Sequence, residues 1–345
     1  MKRMKYVIAT ILVCTMALFL VACGTQDEEA EGPVVTLIYT HYQPGTIDQP
    51  KHAAALAFQA FVEKHTNGAV EVQIFPNSEL GDGPSVLESM QANTIHMTVI
   101  HDGPVSAFYA PLGIFNIPFL FDSHAEAWTI YDGEFTARLG EAMLDATGLR
   151  LLGMADNGIR HITNSLHPIH TLEDLEGMAI RIQPAAIYRE IFQNLGANPI
   201  EVAWAELPAA LQQGVADGQE NSLTNILAAN LYETQRYMTL NAHVYSFHAY
   251  LISDEFYTAL TPEQQSVIRE GVQIAKWIHR GMASFQDNTV EQVLVPMGVQ
   301  VVTPTPEEML RFREAAQPAT IEWLRGDVGS YWVDGLFAEL DRIRQ

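Results

Sequence analysis

Short β-rich runs alternate with stretches of helical period from residue 34 onward, and the alternation restarts near residue 156. Few architectures satisfy such a rhythm. Strands separated by helices pair side by side through right-handed crossovers, giving a parallel sheet with helices over its faces. Val34–Tyr39 is the first predicted strand. Pro50 opens a helix to about His65, on which Leu56, Phe58, Phe61 and Val62 recur at helical intervals before Asn67-Gly68 ends it. Ala69–Phe75 alternates apolar and polar, as a half-buried strand does. Pro84–Asn93 reads as a short helix and Ile95–Ile100 as a strand. Leu149–Met154 is a further strand. The second unit holds a strand at Met178–Gln183, a helix at Ile187–Leu195 closed by Gly196, and a helix at Glu206–Gln213 closed by Gly214. Past Asn241, His248–Ser253 reads as a strand. Pro262 opens a long helix to about Asp287 that suits a spine across both units, and helices follow near 288–296 and 306–324. No Gly/Ser-rich linker separates the units, so the expected junction is a hinge crossed more than once.

Charge removes several function classes. The chain has 345 residues, with 19 Lys+Arg against 41 Asp+Glu and a formal net charge of -22. A nucleic-acid binder needs a basic face, as does a protein that docks on anionic lipid. Two cysteines exclude a disulfide scaffold and a multi-Cys zinc fold. Apolar residues at 48% are enough for a sizeable core.

The N-terminus addresses the compartment. Lys2, Arg3 and Lys5 precede an apolar run, Val7–Val21, as in a secretory signal. That run is short for a spanning helix, which needs about 20 residues. It ends Leu20-Val21-Ala22-Cys23-Gly24, which resembles a bacterial lipobox, so residues 1–22 are expected to be removed and Cys23 lipidated. Residues 23–33 then form a lipidated Cys and an acidic tether. Contact with the membrane is expected only through that anchor, outside the cytoplasm.

Enzyme signatures are absent: there is no H-E-x-x-H, G-x-S-x-G or G-x-x-x-x-G-K-[ST]. Gly81-Asp82-Gly83 reads as a turn. The twelve His show no metal-ligand spacing, so no metal and no cofactor are expected.

The informative stretch is 157–250. It carries Gly158-Ile159-Arg160, Thr163-Asn164-Ser165, Pro168-Ile169, Asp174-Leu175-Glu176-Gly177-Met178-Ala179-Ile180-Arg181, Leu195-Gly196-Ala197-Asn198-Pro199, Asp217-Gly218-Gln219-Glu220-Asn221 and His243-Val244-Tyr245-Ser246. Phe75-Pro76, Leu80-Gly81 and Ile117-Pro118-Phe119-Leu120-Phe121 precede it. This ordered series resembles the DctP-type solute-binding proteins of TRAP (tripartite ATP-independent periplasmic) transporters, over essentially residues 34–325.

The resemblance implies an α/β, two-lobed, periplasmic-binding-protein-like clamp that closes on a small organic acid and delivers it to the small and large membrane subunits of a TRAP permease. The expected lobes are 34–156 with about 247–286, and about 157–246 with 287–345. A sensor that presents ligand to a receptor kinase is the alternative, and an enzyme on the same scaffold a third class. The family's defining arginine falls on Arg181, where a guanidinium fork can grip a carboxylate by two parallel hydrogen bonds. Asn221 falls on a ligand-facing Asn, with a helix cap as its other reading. Trp204 stands where relatives often cover the ligand with an aromatic. Arg160 is a second candidate contact or a hinge holder, and His243 lies near the expected cleft. In many relatives an Arg precedes Pro168; here it is His167, which puts a dicarboxylate preference in doubt. His101, at the end of the third strand, and His41 and Tyr42, after the first, point to hydrogen bonding to hydroxyls or stacking on a ring.

Overall fold

The computed structural model describes residues 33–345. The leader, Cys23 and nearly all of the acidic tether lie outside the described residues. The first half runs β1 (Val35–His41), α1 (Pro50–His65), β2 (Val70–Phe75), α2 (Gly83–Gln91), β3 (Met97–His101), α3 (Asp102–Phe108), α4 (His124–Tyr131), α5 (Glu134–Thr147) and β4 (Leu149–Asn164). It continues with β5 (Ala179–Ile182), α6 (Ala186–Asn194), β6 (Asn198–Glu201), α7 (Leu207–Gln212), β7 (Gly218–Asn221), α8 (Leu223–Ala228) and β8 (Tyr237–Ser253). The chain ends with α9 (Asp254–Ala259), α10 (Pro262–Asp287), α11 (Val290–Leu294), β9 (Gln300–Val302), α12 (Pro306–Val328) and α13 (Ser330–Ile343).

One sheet runs through the molecule in the order β2-β1-β3-β8-β4-β7-β5-β6, with β9 added beside β8. The first lobe is built round β2-β1-β3 and the second round β7-β5-β6. Both of these groups are parallel, as expected. The join between them is not. β8 lies antiparallel to both β3 and β4, and β4 antiparallel to β7, so the sheet is mixed. β4 and β8 are also far longer than the six-residue strands expected at Leu149–Met154 and His248–Ser253. They belong to both lobes, and this shared ribbon is the crossing between them.

β4 and β8 are bent by three register shifts, one of them between Asp156 and Gly158. Bulges re-aim the side chains around them. Gly158 sits there at φ +105, and a Cβ on it would lie 2.7 Å from the Cβ of Ser222. Only glycine fits both the backbone and the space.

α10 has the sequence devices of a long helix. Thr261 and Gln264 cap each other reciprocally, with Pro262 in the first turn. Its Ile268, Val272 and Ala275 join Phe58 and Val62 of α1 in one apolar cluster over β1, β2 and β3. Contact is close at Gly271, where a Cβ would meet the Phe58 ring at 3.0 Å. α10 also touches β4 and α8, so it spans from the first lobe to the second. The sequence reading stopped near residue 324, yet α13 follows and buries Val333, Leu336 and Leu340. It rests on α4 and α5 of the first lobe, whereas α12 rests on α6 of the second. α12 also packs against residues 110–116, so the two C-terminal helices touch elements from both halves of the chain. No helix among the described residues is long and apolar enough to cross a membrane.

Candidate ligand-binding site

The carboxyl ends of β1, β3 and β5 and the bulged middle of β4 converge on a narrow cavity of about 20 Å³. Tyr42, Gln43, Lys51 and His101 line it from the first lobe. Arg181, Gln183, Trp204, Asn221 and Asn225 line it from the second, and Asn157 and Arg160 from the shared β4.

Two arginines meet there in different electrostatic states. Arg160 is satisfied. Its guanidinium pairs with both carboxylate oxygens of Glu220, donates to the Glu220 carbonyl at 2.9 Å, and lies over the Tyr188 ring. Burial pushes Glu220 up, but Arg160 and His243 overcome it and hold the carboxyl below its ordinary range. Arg181 has no such partner. It is 1% exposed, and its Nε and Nη2 both donate to one neutral acceptor, the Val202 carbonyl, at 2.9 and 2.6 Å. No carboxylate lies within ion-pair distance of it among the described residues. Burial pulls its pKa down to about 9, with Glu220 partly offsetting and Arg160 adding to the fall. A guanidinium held this way pays the desolvation of its charge without a counter-ion.

Neutral amides line much of the rest. Asn221 donates to Gln219 at 3.1 Å and accepts from Asn225 at 2.8 Å; Asn225 also donates to Asn157, and Asn157 to Ser246, each at 2.8 Å. The chain ends at Asp102, which accepts from Ser246, Gln183, Tyr188 and Asn116. Asn221 thus belongs to a network rather than to a helix cap; Ser222, not Asn221, precedes α8.

Six of the predicted contacts come together: Arg181, Asn221, Trp204, Arg160, His101 and Tyr42. Trp204, half-buried in the turn before α7, lines the outer part of the cleft as well as the inner cavity. His101 is half-buried, and desolvation, then Lys51, Arg181 and Arg160, hold it well below its ordinary pKa, so its imidazole is neutral. The other candidates stand elsewhere. His167 is exposed in the turn beyond the end of β4, where its ring lies 3.1 Å from the Pro168 carbonyl oxygen. It does not touch the cavity, so its identity says nothing about a second carboxylate contact. His243 is behind the wall, 3.3 Å from Glu220 and bonded to Asn241. Its contact with the cavity is through the Glu220–Arg160 pair. His41 is likewise buried below the cavity and bonded to His52. The sequence reading missed Gln43, Lys51, Asn157, Gln183 and Asn225. Asn225 carried a signal, since it stands four residues after Asn221. Among the described residues, no group of three or more His, Cys, Asp and Glu could hold a metal ion.

The profile of bacterial extracellular solute-binding protein family 7, DctP, matches residues 43–326. The chain belongs to this family. Members are substrate-binding receptors of transporters rather than catalysts. The C4-dicarboxylate-binding periplasmic protein DctP of Rhodobacter capsulatus is 28% identical over 277 residues, 79% of this chain and 81% of that protein. The 2,3-diketo-L-gulonate-binding periplasmic protein of Escherichia coli is 28% identical over 253 residues, 73% of this chain and 77% of that protein. Among solved structures, the sugar acid binding protein of Advenella mimigardefordensis in complex with galactonate superposes with a TM-score of 0.85. It is 29% identical, covering 90% of this chain and 99% of that one. A TRAP periplasmic solute-binding protein of a Polaromonas species bound to D-erythronate gives 0.81 at 30% identity, covering 88% of this chain and 98% of that one.

Proposed function

We propose that this protein is an extracytoplasmic solute receptor that closes on a small carboxylate and hands it to a TRAP permease in the membrane. The observation that carries the reading is Arg181, a buried guanidinium in the cavity whose one acceptor among the described residues is a backbone carbonyl. A ligand carboxylate there would supply the missing counter-charge and accept in a bidentate manner. Relatives and structural neighbours support the class, since those described above bind organic acids. The moving bodies we assign are residues 34–156 with about 247–286, and about 157–246 with most of 287–345, α13 riding on the first. Leu20–Cys23 supports a lipid anchor that keeps the receptor beside its permease.

The test is a thermal-shift screen of the delipidated protein against organic acids, because a ligand that binds only the native state raises its melting temperature. Acids should stabilise, and their amides and alcohols should not. Stabilisation by neutral analogues as large as that by the acids would refute the carboxylate assignment.

A further inference from the structure

Opposite Arg181, the first lobe presents a second cation without an ion pair. Lys51, in the first turn of α1, is 2% exposed and lines the cavity. No carboxylate lies within ion-pair distance of its ammonium among the described residues, and that ammonium stands 5.5 Å from the centre of the Tyr42 ring. Two buried neighbours also have unused polar atoms: the hydroxyl of Tyr42 and the Nε2 of Gln43 have no well-aligned hydrogen-bond partner among the described residues. Both residues are at least nine-tenths buried and line the same cavity. Gln43 is held in place by its Oε1, which accepts from the Lys51 backbone N–H at 3.0 Å. An ammonium without an ion pair, an amide N–H without a partner and a phenol O–H with only the Thr98 side chain near it thus gather on one wall. Buried donors are nearly always satisfied, so this wall is shaped for an acceptor that comes from outside the chain.

We propose that Lys51, Tyr42 and Gln43 form a second ligand subsite, which takes the oxygen-bearing end of an acid whose carboxylate is held by Arg181. The proposal rests on the carboxylate reading of Arg181. The fitting group is a neutral acceptor, a hydroxyl or oxo oxygen, rather than a second carboxylate. Asp102 already opposes the Lys51 charge from the first turn of α3, so a further anion would leave the wall over-compensated. The ligand class is therefore a hydroxylated or oxo monocarboxylate long enough to reach both lobes.

The surroundings of Lys51 make the subsite sensitive to pH. Facing it are Tyr42, Asp102 and the imidazoles of His41, His101, His248 and His279. Burial holds the four imidazoles far below their ordinary range, and they stay neutral. Burial also pulls Lys51 down to about 7, with Asp102 opposing the fall. A charged Lys51 is the better donor, so hydroxy-acid affinity should hold steady below about pH 7 and weaken above it, by at most about tenfold per pH unit.

The experiment is titration calorimetry of D-erythronate, D-galactonate, butyrate and succinate at pH 6 and pH 8, where Lys51 titrates and Arg181 keeps its charge, on wild type, Lys51→Met, Tyr42→Phe and Arg181→Gln. Lys51→Met should weaken the hydroxy acids roughly 10- to 100-fold at pH 6, flatten their pH dependence, and leave butyrate unchanged. Tyr42→Phe should show a smaller loss of the same selectivity. Without ligand, Lys51→Met should melt no lower than wild type, since it removes an unpaired buried charge. A structural lysine would give the opposite shift. Equal losses for butyrate and erythronate, or none, would overturn the subsite. A loss confined to succinate would overturn the neutral-acceptor assignment. Full binding by Arg181→Gln would instead remove the carboxylate reading beneath it.

Discussion

Arg181 and Arg160 are the same residue type in the same cavity, and removing them should do opposite things. Arg160→Met leaves Glu220 with no arginine partner at 0% exposure. Stranding one member of a buried pair costs about 3–5 kcal/mol. In a chain of this size each kcal/mol lowers the melting temperature by roughly 2–4 °C, so a fall of about 10 °C is expected. The loss should diminish as acid protonates Glu220, whose carboxyl is held low by its partners in the native state. Arg181→Met removes a cation that meets only the Val202 carbonyl, so the ligand-free protein should melt at or above the wild-type temperature. Its cost appears on binding, where losing one partner of a desolvated charge pair costs about 2–5 kcal/mol, roughly 30- to 4,000-fold in affinity. Arg181→Lys should recover only part of that, because it keeps the charge and loses the fork. Differential scanning calorimetry without ligand and titration calorimetry with an acid separate the two effects. An Arg181→Met protein that melts as low as Arg160→Met, or that binds its acid as tightly as wild type, would refute the reasoning.

Other expected outcomes follow from separate parts of the chain. Small-angle scattering should give a smaller radius of gyration with saturating acid than without it, and equal radii would count against a clamp. Cys23→Ser should move the protein from the membrane to the soluble fraction or block its processing; a processed mutant that stays on the membrane would sink the anchor. Burial, with Asp156 adding, raises the Asp287 carboxyl to about 7, even though the Ile159 N–H and His124 favour its ionised form. A group raised in the folded state favours folding below its unfolded pKa and loses that contribution as pH climbs through the folded value. Asp287→Asn should therefore melt several degrees above wild type at pH 8, with the gain fading toward pH 4; a gain that grows on acidification would contradict the burial argument.

The parallel units were legible because their strands are short, apolar and bounded by helices with clear starts and stops. Pro50, Pro262 and the Thr261–Gln264 box give their helix starts almost unaided. The β4–β8 ribbon was half hidden for a physical reason. It is buried on both faces but carries Asn157, Arg160, His243, Ser246 and His248 where it faces the cleft and its supports. Its sequence therefore neither alternates nor stays apolar, and only its outer ends look like strands. α13 had a readable stripe in Val333, Leu336 and Leu340. At the site, Arg181, Asn221 and Trp204 were found through an ordered motif series. Lys51 could not be: a lysine in the first turn of a helix ordinarily faces water. It becomes a cavity residue only when β1, β3, β8 and α10 assemble around it.

Closure has a cost and a reward that fall on different residues. Asp102, beside the cleft in the first lobe, accepts from Gln183 at 3.0 Å and Tyr188 at 2.5 Å in the second, and from Ser246 at 2.8 Å on the shared β8. Opening would exchange the two cross-lobe bonds for water, and each is worth only about 0.5–1.5 kcal/mol net, somewhat more with a charged acceptor. Against them, closing without ligand desolvates Arg181, which lacks a counter-charge, at several kcal/mol, and Lys51, whose charge Asp102 offsets only in part. On the proposed clamp, this balance predicts an open resting state. An acid reverses it, since its carboxylate answers Arg181 and its far oxygen answers Lys51 only when both lobes are in contact. The ligand can shift the equilibrium by no more than that difference in affinity between the two states. A molecule that fills one subsite alone should bind without closing the clamp, which separates occupancy from the closed shape that a permease would read.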